Sequence, residues 1–172
     1  MKPLCLSVSV VPLFFSLSFA CACAPAIVRG PILEAADLRD LEGEPLRVEA
    51  LRGRVVVLNF VATWATLSLV DVKYLAALEE RIGFQGLAVV VAVTDREGAR
   101  VASPFKSAFG LTCRVASASA PVVAGATALG RIAAVPFTAV LDRQGRVVFR
   151  TAVPLARPAF ERLIDRLLRE EP

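Results

Sequence analysis

Arg54-Val55-Val56-Val57-Leu58-Asn59-Phe60-Val61-Ala62-Thr63-Trp64-Ala65-Thr66-Leu67-Ser68 is the stretch that decides the fold. Val55 to Phe60 is a near-continuous apolar, β-branched run, as a central strand buried on both faces requires. Leu51-Arg52-Gly53-Arg54 is the turn that leads into it. After a short bend, Leu67, Val70, Tyr74, Leu75, Leu78 and Ile82 recur on one face at helical spacing, and Gly83 and Gly86 end that helix. Leu87 to Val93 is a second buried strand.

Outward from this unit, Asp95 to Ala102 reads as a turn of helix. Ser103-Pro104 then restarts a helix, with serine as N-cap and proline at the first helical position, and Gly110 stops it. Thr112 to Ser117 reads as a strand and Val122 to Leu129 as a short small-residue helix. Phe137 to Leu141 and Arg146 to Thr151 form a hairpin around Asp142-Arg143-Gln144-Gly145. Pro158 opens a last helix with Phe160, Leu163, Ile164, Leu167 and Leu168 on one face. Upstream, Pro31 to Arg52 is polar and irregular, with a weak strand at Leu46 to Glu49. Alternation first and a hairpin last predict an α/β fold with a mixed sheet of about five strands and helices on both faces. The expected domain limits are a leader over 1–22, a linker and N-terminal extension over 23–45, and one folded domain over 46–171.

The Phe60-to-Ser68 segment resembles the active-site segment of thioredoxin-like proteins, in particular the membrane-tethered thiol:disulfide oxidoreductases of the TlpA and ResA type. That resemblance covers roughly Leu46 to Glu170 and implies a thioredoxin-like fold. In the family a Cys-x-x-Cys opens the helix. Ala65 stands at the place of its first cysteine and Ser68 at the place of its second. A dithiol enzyme needs a thiolate that attacks and a second thiol that resolves. Ala65 offers no nucleophile, and Ser68 offers a hydroxyl with no histidine anywhere in the chain to activate it. No catalytic residue of the family reaction remains at these vestigial positions.

The resemblance also implies a binding groove built from Trp64, Asp71, Val135 and Pro136. Asp71 falls where the family carries an acid that tunes the thiols. The local alternative is a capping box, Ser68-Leu69-Val70-Asp71, in which the two residues only start the helix. Lys73 replaces the family's helix proline. Val135-Pro136-Phe137-Thr138 resembles the loop whose cis proline faces the active site and offers backbone groups to an extended substrate. The alternative is that Pro136 only shapes the turn into the strand. Cys113 lies at the start of a strand, where a lone cysteine usually acts as a small apolar residue; the other reading is a reactive thiol.

Met1-Lys2, an uncharged apolar stretch from Pro3 to Ala20, and the small residues around Ala20 to Ala24 read as a secretory signal. An uncleaved anchor helix is the alternative, with Pro12 against it. Cys21 and Cys23 follow small residues and are candidates for lipidation, which would tether the domain to a membrane surface; ordinary cleavage after Ala20 or Ala22 is the other outcome. Either route exports the domain, to the periplasm or to a membrane face turned toward it.

The 172 residues suit one domain with a full core. Twenty basic against 16 acidic residues leave a net charge of +4, with no basic stripe interleaved with aromatics, so nucleic acid is not an expected partner. Four cysteines without metal-ligand spacing, and no histidine, predict no metal and no cofactor. The expected function is therefore an exported protein- or peptide-binding module whose partner is an envelope protein or peptide. The alternative is a thiol-disulfide oxidoreductase or peroxidase-like activity using Cys113 or a partner's thiols.

Overall fold

The computed structural model describes residues 27–170. Six strands and four helices follow one another in the order β1 (Leu38–Arg39), β2 (Val55–Val61), α1 (Thr66–Ile82), β3 (Leu87–Val93), α2 (Ala99–Phe109), β4 (Arg114–Ala118), α3 (Ala120–Ala124), β5 (Phe137–Leu141), β6 (Val147–Thr151) and α4 (Arg157–Arg169). The strands form one mixed sheet in the order β1-β4-β3-β2-β5-β6. β2, β3 and β4 run parallel, from Val55↔Leu87 to Val61↔Val93 and from Val90↔Arg114 to Val93↔Ser117. β5 pairs antiparallel with β2, β6 with β5, and β1 with β4.

Every residue of β2 and β3 is buried. A strand can be apolar on both faces only if both faces are covered. One face of the sheet packs α1, α2 and α4 through Leu75, Leu78, Phe105, Phe160, Leu163 and Ile164. The other face packs the N-terminal segment through Leu33 and Leu38, then α3 through Val122, and the following loop through Leu129 and Ile132. The segment ahead of β1, polar and irregular in sequence, thus contributes core residues. It is tied to β6 by the Gly30 N–H donating to Val147 O at 2.8 Å and by the Ile32↔Arg146 bridge.

Three local expectations are corrected. The weak strand at Leu46 to Glu49 is instead a 3-10 turn over Val48–Leu51, whose three-residue spacing buries Val48 and Leu51 together. The helix restart at Ser103-Pro104 does not occur: α2 runs unbroken from Ala99, with Pro104 inside it. Proline removes one backbone donor there, but Pro104 and Ser103 face solvent while Ala102 and Phe105 anchor the helix to the sheet. The small-residue helix starts two residues early and stops at Gly125, well short of Leu129. Gly125 has φ +101°, and a Cβ on it would lie 2.9 Å from Arg131 N, so the chain folds back tightly at this point.

The buried face of α1 is also rotated from the expected one. Ser68, Asp71, Val72, Leu75, Ala76 and Leu78 point inward, whereas Leu67 and Val70 are 61% and 51% exposed. Apolar spacing marks a face that avoids water. At the start of α1 that face continues the outer surface from Trp64 rather than the core.

Candidate functional site

The carboxyl ends of β2, β3 and β4 lie along one edge of the sheet, the edge where open α/β folds place their sites. The β2–α1 turn there is held firmly. The Thr63 N–H and Thr63 Oγ1 donate to the two oxygens of Asp95, each at 2.9 Å. The Thr94 N–H and Oγ1 both donate to Val61 O, at 2.8 and 2.9 Å. Trp64 stands at the tip of this clamped turn with 78% of its surface exposed. Neither Asp95 nor the threonines beside it stood out in sequence. The one available sign was a carboxylate placed two residues beyond a fully apolar strand.

Trp64, Val135, Ile132, Ala133 and Ala134 line a groove of about 390 Å³. The Val135-Pro136 peptide bond is cis. Pro136 itself is buried behind Val135, and the groove is walled by Val135 alone of the pair. Ile132 donates its N–H to Val123 O at 3.0 Å, while Ala133, Ala134 and Val135 lie outside every helix and strand and pair with no backbone group among the described residues. This leaves a short row of main-chain groups open beside the indole.

Asp71 is not in this groove. It is 2% exposed, on the inner face of α1, and its two oxygens accept from the Leu155 N–H at 3.3 and 3.4 Å. Burial raises its pKa, opposed in part by the Leu155 N–H and the Arg157 charge. The capping-box reading is corrected as well: α1 starts at Thr66 behind Ala65, no side chain caps it, and Ser68 is fully buried with its Oγ unpartnered among the described residues. On the same side of the sheet Asn59 Nδ2 donates to Thr138 Oγ1 at 2.9 Å, in register across β2 and β5. A patch of buried polar side chains thus lies on the sheet face that α1 covers.

Cys113 is 2% exposed and lies one residue before the Val90↔Arg114 pair, set back from the edge that carries Trp64. Burial, reinforced by the charge of Glu79, pushes its thiol up to about 11. A thiol so placed is almost wholly protonated at neutral pH and sheltered from disulfides. Cys21 and Cys23 lie outside the described residues. Among the described residues no three His, Cys, Asp or Glu side chains gather to hold a metal ion, and no helix is long and apolar enough to cross a membrane.

Comparison with known proteins bears on the frame. A family model described as Redoxin matches residues 23–164. No curated protein matches the chain. Among solved structures, a secreted thiol-disulfide isomerase of Corynebacterium glutamicum superposes with a TM-score of 0.72 at 19% identity, covering 83% of this chain and 87% of that one. A thiol:disulfide interchange protein of the thioredoxin family from Chlorobium tepidum gives 0.69 at 19% identity, covering 82% and 97%. A second thiol-disulfide isomerase of Corynebacterium glutamicum gives 0.69 at 20% identity, covering 82% and 97%. At these identities the likeness is one of fold, and the fold is thioredoxin-like.

Proposed function

The chain belongs to the redoxin family, and from that premise we propose that it is a degenerate member of the TlpA and ResA type, exported to the cell envelope, which binds a protein or peptide without redox chemistry. The observation that carries this reading is the state of the clamped turn. It presents an exposed Trp64 beside a groove with open main-chain groups, while Ala65 and Ser68 occupy the helix start where a dithiol would work. An extended segment laid beside Ala133 to Val135 would gain main-chain hydrogen bonds, and an apolar side chain on it would cover the indole. The leader, cleaved or lipidated at Cys21 or Cys23, would deliver the domain to the compartment where such partners fold.

The test has two arms. The protein is assayed for reduction of a model disulfide, and Trp64 emission is followed while extended peptides are titrated in. The expected result is no turnover and a blue shift that saturates. Turnover by the wild-type chain, or an indole indifferent to every peptide, would overturn the proposal.

A further inference from the structure

A second cavity adjoins the groove under Trp64. It has a volume of about 720 Å³ and lies beyond the ends of β3 and β4. The two share Thr94, Val123, Ile132 and Ala133, so they are neighbouring stretches of one surface depression. The walls of the larger one carry Arg39, Arg96 and Arg131, brought together from three separate segments of chain. Arg96 and Arg131 are exposed and have no hydrogen-bond or ion-pair partner among the described residues. Arg39 spends one donor on Gly43 O at 3.0 Å. The cavity's one acidic lining residue is Asp95, and both its oxygens are already taken by Thr63. Ser119 Oγ, on the same wall, is enclosed and has no partner among the described residues. Such a lining supplies donors and positive charge without matching acceptors.

We propose that this arginine-walled cavity is an acidic subsite, and that the peptide taken up beside Trp64 carries aspartate or glutamate side chains a few residues from its apolar anchor. The inference rests on the peptide-binding reading above and narrows its ligand. A carboxylate suits guanidinium groups in geometry as well as charge. The cavity continues into the groove through Thr94, Val123, Ile132 and Ala133, which favours a chain long enough to reach both over a small compact anion. The same charges attract acidic partners at a distance and turn away basic ones.

The test uses ten-residue blocked peptides with a central phenylalanine in a serine, threonine and valine background. Three glutamates are placed on one side or the other of the phenylalanine, with glutamine and lysine counterparts. Trp64 is the only tryptophan of the chain, so its emission reports occupancy. One glutamate peptide is expected to bind about five- to tenfold more tightly than its glutamine counterpart, an advantage that fades as ionic strength rises. The double variant Arg96→Gln/Arg131→Gln should erase that advantage, so that the glutamate and glutamine peptides bind it alike. Arg96→Glu/Arg131→Glu should reverse the preference toward lysine, which a merely structural role would not do. Equal binding of glutamate and glutamine peptides would sink the acidic subsite and leave the peptide groove standing. Inorganic phosphate that competes as well as the glutamate peptide would make this a small-anion site and overturn the peptide assignment. Silence of Trp64 toward all peptides would remove both.

Discussion

Thr63 and Asp95 are joined twice, main-chain N–H to one carboxylate oxygen and hydroxyl to the other, across 32 residues of sequence. This pair fixes the turn that carries Trp64 to the end of β3. Asp95→Ala leaves both Thr63 donors without their acceptor. It is expected to lower unfolding free energy by about 1–2 kcal/mol and to change Trp64 emission in the native state. Urea unfolding followed at the tryptophan measures both, and an unchanged midpoint with unchanged emission would show that the clamp is idle.

Asp71 gives the stability curve a definite slope. Its pKa is raised from 3.8 chiefly by burial, so the folded state holds the proton more tightly than the unfolded chain does. Stability from this group is complete below the ordinary aspartate pKa. It is lost as pH rises through the higher folded value. Asp71→Asn removes the titration. The variant should gain on the wild type as pH climbs from about 4 and then keep a constant lead. Parallel unfolding energies for the two proteins across that range would contradict the assignment.

Cys113 should be silent toward thiol reagents in the native state. Wild type and Cys113→Ala are expected to show the same thiol count at pH 8 when folded, and to differ by one thiol after denaturation. Cys113→Ser places a hydroxyl in an apolar setting and should cost about 1–3 kcal/mol. A native Cys113 that reacts within minutes would reopen the case for thiol chemistry.

A dithiol can be built at Ala65 and Ser68, the positions that the proposal matches to the family's Cys-x-x-Cys. Ser68 is N3 of α1 by count from Ala65, fully buried, with an unpartnered Oγ that a sulfur would replace without loss of a hydrogen bond. Ala65→Cys/Ser68→Cys places both sulfurs at the first turn, where the free amides of the helix start favour a thiolate. The double variant is expected to reduce insulin with dithiothreitol at a rate well above background, the wild type at background. Failure of a folded double variant would mean that the surroundings of this helix start do not support dithiol chemistry.

The frame around β2 and α1 was legible in sequence because Val55 to Phe60 and Leu87 to Val93 admit few other readings. The hairpin at Asp142 to Gly145 and the start of α4 near Pro158 were legible for the same reason. Periodicity misled where an apolar residue serves a surface. Leu67 and Val70 looked like core and are exposed, while Ser68 and Asp71 are buried. Pro104 looked like a helix start because the packing of Ala102 and Phe105, which carries α2 through it, is tertiary. Trp64 and Val135 could be named through the resemblance to a known segment. Arg39, Arg96 and Arg131 could not, since only the folding of strand β1 and two loops brings them to one cavity.

The methyl group of Ala65 sets the arithmetic of whatever complex forms at this edge. A methyl group offers no bond to exchange, so a peptide bound as proposed above would leave chemically as it arrived, its stay governed by dissociation alone. Under that proposal one copy would serve one visitor at a time, and capacity would scale with how many copies are present rather than with how fast each one turns over.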